Sequence, residues 1–314
     1  MFKRFSSTVR KEKEMPIFIK TSEYTNDKKL EVDVRRLANM NLSTFRYIEL
    51  RGNIDAPNEF SDISFLNLFP KLESINIDRA AINPFPAIPS LSRLTELSIK
   101  GTDVNAIDLI SRCPNLKKLS LDDSNACNGG ILPRLDVFRR IESLNIWHED
   151  LENISAISLC YSSLKSLILN YNSRLTDISP LNTLFLLERL EMHENDELVD
   201  ITPLSRLGNL KYLDIKENRK LCDISPLSNL WQLEYLDIRG TSIKNYSPVL
   251  SLRGLRNLRV GEYSLRAKPF PRRIIRKIKA KLPYCGLVIN YDINEKNILK
   301  FIDDLADSIN IDML

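Results

Sequence analysis

Residues Leu210-Lys-Tyr-Leu-Asp-Ile-Lys-Glu-Asn218 decide the fold, because this phrase returns every 22 to 27 residues along the chain. The preceding copy is Leu187-Glu-Arg-Leu-Glu-Met-His-Glu-Asn195, and the following copy is Leu233-Glu-Tyr-Leu-Asp-Ile-Arg-Gly-Thr241. The first, fourth and sixth positions of the phrase are apolar in every full copy. Nine full copies are followed by a partial tenth at Leu255, and the nine begin at Phe45, Leu72, Leu94, Leu116, Ile141, Leu164, Leu187, Leu210 and Leu233. A fixed period of this length is typical of repeat proteins, in which each unit buries its apolar side against its neighbours.

The spacing inside the phrase predicts one short β-strand per repeat. Positions four and six lie two residues apart, so their side chains point to the same side of a strand, and positions three, five and seven point to the other. Stacked in parallel, such strands form a curved sheet whose concave surface is lined by positions three, five and seven. We therefore expect an α/β solenoid, a horseshoe with a parallel β-sheet on the concave face and short 3-10 or α segments on the convex face.

The second half of the repeat is also patterned and predicts the convex segments. It reads Asp177-Ile-Ser-Pro-Leu181, Asp200-Ile-Thr-Pro-Leu204 and Asp223-Ile-Ser-Pro-Leu227. A Ser or Thr before Pro favours a helix start, with the hydroxyl at the cap and the proline at the first helical position. Only about five residues remain before the next strand, so these helices should be short.

The ninth position of the phrase carries asparagine in four repeats. An asparagine amide both donates and accepts hydrogen bonds, so it can satisfy backbone groups where the strand ends. The four residues are Asn53, Asn172, Asn195 and Asn218. Ala80 and Glu149 occupy the same position and cannot act in the same way, so we expect this ladder of side-chain hydrogen bonds to be weakest there.

In these features the chain resembles leucine-rich repeat proteins. The period of 22–23 residues, combined with Asp-Ile-Ser-Pro-Leu, is similar to the repeats of internalins and of the SDS22-like subclass. The resemblance covers residues 45–260. It implies a scaffold that presents a binding surface, and it leaves the partner open because one scaffold serves many partners.

The composition excludes several classes of protein. Hydrophobic residues make up 43% of the chain and charged residues 27%, which excludes wholesale disorder. A net charge of +4 is too small to indicate nucleic acid by itself, and no apolar run is long enough for a transmembrane helix. The five cysteines lack zinc-type spacing and no secretory signal is evident, so we expect a cytoplasmic location. The alternative is delivery into a host cell as an effector, with residues 1–14 as the export segment.

We divide the chain into four segments. Residues 1–14 are expected to be a flexible N-terminal segment, and residues 15–44 an N-terminal cap. Residues 45–265 form the solenoid. Residues 266–314 are expected to form a C-terminal cap of basic helix, strand and helix, with the strand at 285–291 and the last helix at 295–309. An open solenoid needs caps because its end strands would otherwise expose core and edge.

The first candidate binding surface is the concave face of repeats 5 to 9. Trp and Tyr are enriched at binding hot spots, and the large side chains predicted to be exposed here are Trp147, His148, Ile168, Tyr171, His193, Tyr212 and Tyr235. An acidic stripe of Glu191, Asp214 and Asp237 accompanies them and favours a partner protein with a basic patch. The alternative is that these are ordinary surface aromatics.

The second candidate is a basic amphipathic helix. Its apolar residues Ile274, Ile275, Ile278 and Leu282 can share one face. Its cations can contact anionic lipid, nucleic acid or an acidic partner; they are Arg272, Arg273, Arg276, Lys277 and Lys279. The alternative is a cap whose basic side is solvated or is paired with the acidic side of the last helix.

Signatures of catalysis are absent from the sequence, which contains no GxSxG, no Gly-rich phosphate loop and no HExxH. We expect no catalytic residues, no metal, no cofactor and no small-molecule substrate. The leading hypothesis is a non-catalytic scaffold that binds a partner protein through the concave face of repeats 5 to 9. The alternatives are attachment to nucleic acid or an anionic membrane surface through the basic helix, and a secreted effector of bacterial type.

Overall fold

The computed structural model describes residues 17–20, 29–30, 41–51, 59–60, 64–79, 81–82, 90–101, 106–124, 126–261 and 270–290. The chain divides into two compact units, Met1–Asn172 and Ser173–Leu314. The flexible segment expected at 1–14, much of the N-terminal cap and the last helix expected at 295–309 lie outside the described residues.

In the first unit, parallel strands lie side by side in chain order, one per repeat. Their register pairs equivalent repeat positions, as Leu97 pairs with Leu119 and Ile99 with Leu121. The strands are β1 (Ile17–Lys20), β3 (Tyr47–Arg51), β5 (Ser74–Asp78), β7 (Glu96–Lys100), β8 (Lys118–Asp122), β9 (Ser143–Trp147) and β10 (Ser166–Ile168). A small parallel sheet of the same unit contains β2 (Lys29–Leu30), β4 (Glu59–Phe60) and β6 (Ala81–Ile82).

Short helices connect the strands of the first unit. One is an α-helix, α1 (Ala106–Ser111), which buries Leu109 and Ile110. The others described are 3-10 helices at Leu42–Thr44, Ser64–Leu68, Asn128–Gly130, Asp136–Arg140 and Ser155–Cys160.

The second unit repeats the same plan more regularly. Its parallel strands, again in chain order, are β11 (Arg189–Glu191), β12 (Tyr212–Asp214), β13 (Tyr235–Asp237), β14 (Asn257–Gly261) and β15 (Gly286–Asn290). Its 3-10 helices are Ser179–Thr183, Thr202–Arg206, Ser225–Asn229 and Ser247–Ser251, and its α-helix is α2 (Arg272–Lys281). The sequence predicted short helices between the strands, and these 3-10 helices confirm that prediction.

The apolar positions of the repeat form the core. From Leu72 to Ile238, every first, fourth and sixth position is buried, and Phe45 in the first repeat is half-buried. Burying one aliphatic side chain contributes roughly 1.5–3 kcal/mol. Neighbouring repeats therefore stabilise each other by apolar packing without a covalent cross-link, as the period predicts.

The asparagine ladder is present at Asn172 and Asn218, whereas Asn53 lies outside the described residues. Asn218 is fully buried; its amide donates to the carbonyls of Met192 and Ile215, each at 2.8 Å, and its oxygen accepts from the amide of Asn195 at 3.2 Å. Asn172 likewise donates to the carbonyl of Ile146. The ladder thus links the strand end of one repeat to that of the preceding repeat.

Glu149 does not act as asparagine does, but the ladder is not interrupted there. The Glu149 side chain is buried, and one carboxylate oxygen accepts from the Ser124 amide at 2.7 Å and the Ser124 hydroxyl at 2.6 Å. The other oxygen accepts from the Cys127 amide at 3.3 Å. The carboxylate therefore replaces the accepting half of asparagine. Burial raises the pKa of Glu149, although these three hydrogen bonds oppose the shift. Ala80 lies outside the described residues.

The predicted cap of the convex helices is wrong in detail. The helix at Ser179–Thr183 begins with Ser179, and its hydroxyl does not cap the helix. Instead the Asp177 carboxylate accepts from the Ser179 amide at 2.8 Å, which is an Asx turn. Asp200 and Asp223 repeat this contact. The sequence contained the signal, since the aspartate recurs two residues before each Ser or Thr.

The eighth position of the phrase is left-handed in each repeat where the structure describes it. Their φ angles lie between 50 and 68°, and the residues are Arg79, Gly101, Asp123, His148, Tyr171, Glu194, Glu217 and Gly240. Residues with a Cβ adopt this conformation at a cost of roughly 1–2 kcal/mol. The turn that ends each strand is therefore fixed by the repeat and not by the residue type.

Candidate functional site

A column of stacked side chains covers part of the second unit's strand face. We use this name for the surface formed by positions three, five and seven of the repeat phrase. Tyr212 and Tyr235 are paired across β12 and β13, and their rings stack with centroids 4.2 Å apart and planes 4° from parallel. The guanidinium carbon of Arg189 lies 3.7 Å from the Tyr212 centroid, and that of Arg259 lies 5.5 Å from the Tyr235 centroid. We call these four residues the tyrosine column. Burial, together with a hydrogen bond to Tyr212, raises the pKa of Tyr235, so its phenol stays neutral.

The acidic stripe predicted beside this column is not exposed. Asp237 is completely buried, and its carboxylate accepts from Arg239 Nε at 2.8 Å and Nη2 at 2.6 Å. The Asp214 side chain is 5% exposed and accepts from Lys216 Nζ at 3.1 Å. The prediction of an exposed acidic stripe is wrong because the chain turns where each strand ends. Each aspartate there accepts from the backbone amide of the cation two residues later, at 3.1 Å from Lys216 and 3.2 Å from Arg239, and lies beneath the side chain of that cation.

Glu191 is also paired with a cation two residues away, but here the cation, Arg189, precedes the carboxylate in the chain. Its carboxylate accepts from Arg189 Nε at 2.9 Å. The glutamate side chain is 13% exposed and the arginine side chain 44%. Burial raises the pKa of Asp214, and the nearby Asp237 carboxylate adds to this shift. A low-dielectric layer of paired carboxylates therefore underlies the strand face.

His193 was expected on the exposed face and is buried instead, with 8% of its side chain exposed. Burial lowers the pKa of His193, and the positive charge of Lys216 lowers it further. The ring is thus neutral at physiological pH. Its Nδ1 lies 3.7 Å from Glu194 Oε1. We interpret His193 as part of the packed layer beneath the strand face.

The first unit carries a separate aromatic cluster, formed by Trp147, His148 and Tyr171. The His148 and Tyr171 rings stack with centroids 4.5 Å apart, and Trp147 lies 5.8 Å from Tyr171. His148 is exposed, whereas Trp147 and Tyr171 are half-buried. His148 and Tyr171 stand at the left-handed eighth position, with φ of 53 and 58°, which places both rings just past the strand ends.

A charged group supports this aromatic cluster from the neighbouring repeat. Asp122 Oδ1 lies 3.0 Å from His148 Nδ1, and Asp122 Oδ2 lies 2.7 Å from Lys100 Nζ. Burial alone would raise the pKa of Asp122, but the hydrogen bonds from Lys100 and His148 outweigh it and hold the pKa below its usual value. Asp122 therefore stays ionised and orients the His148 ring.

The remaining predicted residue of this surface is Ile168. It is half-buried on β10, where it pairs with Asn145 of β9. The structure thus gathers three of the predicted aromatic residues in the first unit. In the second unit it gathers the two tyrosines above the buried layer.

The basic segment forms helix α2. Ile278 and Leu282 are buried, and Ile274 and Ile275 are half-buried, so the apolar residues do share one side. The five predicted cations are all exposed: Arg272, Arg273, Arg276, Lys277 and Lys279. No acidic residue lies in the first turn of α2, where two arginines face the positive end of the helix dipole. This arrangement of charges is unfavourable for the helix dipole, so helix stability alone does not explain why arginines stand there.

Four cations of the second unit's strand face did not enter the sequence-based site: Arg189, Lys216, Arg239 and Arg259. The signal was present, because an acid and a base alternate two residues apart in 214–216 and 237–239. At the end of each strand this spacing allows an ion pair, but it does not show which of the two charged side chains is buried.

In the described part of the chain, no group of three His, Cys, Asp or Glu side chains is arranged to hold a metal ion. Over the same residues, no helix combines the length and apolarity needed to cross a membrane.

Comparison with solved structures gives the same architecture. The internalin InlF from Listeria monocytogenes matches with a TM-score of 0.58 and 24% identity, over 80% of this chain and 75% of that one. Internalin C2 of the same organism matches with a TM-score of 0.47 and 22% identity, over 70% and 82%. A structure of TLR13 in complex with ssRNA13 matches with a TM-score of 0.54 and 18% identity, over 79% of this chain but only 37% of that one.

Sequence comparison adds no family assignment: no protein-family model matches this chain, and no curated protein does. At these identities the structural likeness establishes the fold alone.

Proposed function

Because this chain has the leucine-rich repeat fold, we propose that it is a non-catalytic recognition protein that binds a partner protein on the strand face of its repeats. The observation that carries the proposal is the tyrosine column. Two stacked tyrosines, flanked by arginines, occupy a solvent-facing side of the second unit. Tyrosine and arginine are among the residues that dominate binding energies at protein interfaces.

The tyrosine column is built for contact with a partner. Its rings are fixed by each other, so little side-chain entropy remains to be lost on binding. The layer beneath is rigid, since Asp237 and Arg239 form a bidentate pair. Preorganised aromatic side chains above a fixed charged layer are the features of a hot spot.

The test is capture of a partner from lysate by the full chain, followed by measurement of its affinity for variants. We expect Tyr212→Ala/Tyr235→Ala to weaken binding of the captured partner at least about fivefold. Tyr284→Ala is the matched control, because Tyr284 is 94% exposed and lies outside the strand face. Equal affinity of the double variant and wild type would exclude the tyrosine column as the docking site.

The aromatic cluster of the first unit is a separate candidate contact and is tested by its own variant. Trp147→Ala removes a half-buried ring that packs 5.8 Å from Tyr171. We expect an affinity loss of at least about fivefold if the partner reaches this cluster. A loss with Trp147→Ala and none with the tyrosine double variant would move the docking site to the first unit.

A second candidate function is attachment of α2 to an anionic surface. It is favoured by the two arginines in the first turn, which oppose the helix dipole. Binding to vesicles that contain phosphatidylserine is the measurement, at low and high salt. We expect steep salt dependence and loss of binding in Arg273→Glu/Lys277→Glu. Vesicle binding that ignores this reversal assigns α2 to a capping role.

A further inference from the structure

The charges on the second unit's strand face are sorted by depth. In each of three pairs the carboxylate side chain is less exposed than its cation. Exposures are 0% for Asp237 against 11% for Arg239, and 5% for Asp214 against 24% for Lys216. For Glu191 and Arg189 they are 13% and 44%. An approaching molecule therefore meets cations and tyrosine edges before it meets carboxylates.

Arg259 adds a cation that has no carboxylate of its own. Within 173–261 and 270–290, the part of this unit that the structure describes, Arg259 forms no salt bridge. Its guanidinium carbon lies 5.5 Å from the Tyr235 ring centroid, and a guanidinium carries five N–H donors. A planar carboxylate can accept from two guanidinium N–H groups at once.

Acidic groups at the strand ends do not cancel this pattern. Glu217 is 14% exposed and lies 3.5 Å from Arg219, whose side chain is 76% exposed. Glu194 is 40% exposed and stands five residues beyond Arg189 along the chain. At roughly 3.3 Å per residue, it lies past the end of β11 and away from the tyrosine column.

The stacking also limits which molecules fit. Strand β12 lies between β11 and β13, so Arg189 covers one face of the Tyr212 ring and Tyr235 covers the other. Tyr235 is likewise held between Tyr212 and Arg259. A nucleic acid base needs an open ring face for stacking. Only ring edges and guanidinium donors remain available here, and these suit a peptide with carboxylates.

We propose that the tyrosine column recognises an acidic peptide segment of the partner protein, in contrast to the basic partner that the sequence predicted. This inference rests on the proposed function and specifies its partner. Separations of 3.7, 4.2 and 5.5 Å limit the distance between the two guanidinium carbons to about 13 Å. An extended peptide advances roughly 3.3 Å per residue. The two arginines can therefore be reached together by acidic residues no more than about four positions apart in an extended segment.

The experiment selects peptides from a random display library on the full chain and discards those that also bind Tyr212→Ala/Tyr235→Ala. We expect the surviving peptides to carry net negative charge, with two acidic residues no more than about four positions apart. Survivors that are neutral or basic would overturn the inference and leave the proposed function standing. A selection with no survivor sensitive to the double variant counts against the proposed function itself.

A matched pair of variants then tests the role of Arg259. Arg259→Gln should weaken binding of a selected peptide about fivefold. Arg256→Gln should leave it unchanged, because Arg256 is 74% exposed, lies 3.6 Å from Glu234 and precedes the strand. Equal effects of the two substitutions would contradict the assignment. Displacement of the peptide by a single-stranded oligonucleotide that binds wild type and not Arg259→Gln would assign the surface to nucleic acid instead.

Discussion

The two units have the same apolar positions in their repeats, yet they end their strands differently. In the first unit, β5, β7, β8 and β9 are five residues long, whereas β11, β12 and β13 in the second are three. The ninth position differs in parallel. It is Ser124 and Glu149 after β8 and β9, but asparagine or threonine after the short strands. Even within the first unit, β10 has three residues and is followed by Asn172. Three of the four short strands are thus followed by asparagine. Residue type at position nine does not by itself set strand length, because Asn53 follows the five-residue β3 and Thr102 follows the five-residue β7.

The comparison also separates two ways of linking repeats. Asn218 both donates and accepts, so it satisfies a carbonyl and an amide of the preceding repeat. Glu149 only accepts, and it receives its hydrogen bonds from Ser124 and Cys127. The first mode is neutral, whereas the second buries a charge. A neutral asparagine can be repeated in many repeats at no electrostatic cost. A buried carboxylate can be used only where enough donors surround it.

Removing a ladder asparagine should have the largest effect on stability. Asn218→Ala leaves the Met192 carbonyl and the Asn195 amide without their partner in a buried site. We expect the free energy of unfolding to fall by about 3 kcal/mol. Chemical denaturation measures it. The control is Asn229→Ala at an exposed position, for which we expect a change within about 0.5 kcal/mol. Similar losses for both would mean that the ladder contributes little.

The corresponding change in the first unit should cost less. Glu149→Ala removes acceptors from the Ser124 and Cys127 amides, but it also removes a buried charge. We expect a loss of about 2 kcal/mol, measured by the same denaturation. Asp136→Ala, at a fully exposed aspartate, is the control. A loss for Glu149→Ala above that for Asn218→Ala would reverse the ranking of the two modes.

The pH dependence of stability should distinguish the modes directly. The folded-state pKa of Glu149 lies above the unfolded value of 4.5 because of burial. The native state then holds its proton more tightly, so the stability from this group is complete below pH 4.5 and is lost as pH rises through the folded pKa. The unfolding free energy of wild type minus that of Glu149→Gln should therefore fall as pH rises. A rise of this signed difference with pH would contradict the prediction.

The left-handed eighth position is shared by both units and should respond alike in both. Glu194→Gly relieves a residue at φ 58°, and we expect the free energy of unfolding to rise by about 1 kcal/mol. Asp123→Gly, at φ 50°, is the partner substitution in the first unit. Gly240→Ala should lower stability, since a residue with a Cβ is strained at the φ of 68°. Opposite signs for Glu194→Gly and Asp123→Gly would show that the two units use this turn differently.

The smallest effect is expected at the Asx turns. Asp177→Ala removes one hydrogen bond to the Ser179 amide at an exposed helix start, so we expect a loss of about 0.5 kcal/mol. The pKa of Asp177 is lowered by its hydrogen bonds to Ser179. Its contribution is therefore present above the unfolded pKa of 3.8 and is lost as pH falls. Asp177→Asn keeps the acceptor and should retain most of the stability at low pH.

Much of the fold was available from the sequence. Apolar positions one, four and six predicted the strands, and their spacing predicted a register in which Leu213 pairs with Leu236. Periodicity does this because side-chain direction alternates on a strand. The short convex helices followed from the number of residues left between strands.

The depth of polar groups was not available in the same way. Asp237 and Tyr235 both lie on the strand face by register, yet the aspartate is buried and the tyrosine half-exposed. Depth on one face depends on which neighbour covers a side chain, here Arg239. Likewise, the role of Glu149 depends on where the amides of Ser124 and Cys127 turn towards it. These are tertiary contacts, which a single repeat does not specify.

The ladder has a consequence for how such a gene can change in length. Asn172 and Asn218 each accept from the backbone amide 23 residues earlier in the chain. Deleting or duplicating one such stretch in frame would join a strand end to an equivalent strand end, and the incoming asparagine would meet the same carbonyl and amide. Unequal recombination within this region would then alter the number of repeats and the extent of the binding surface while preserving every junction.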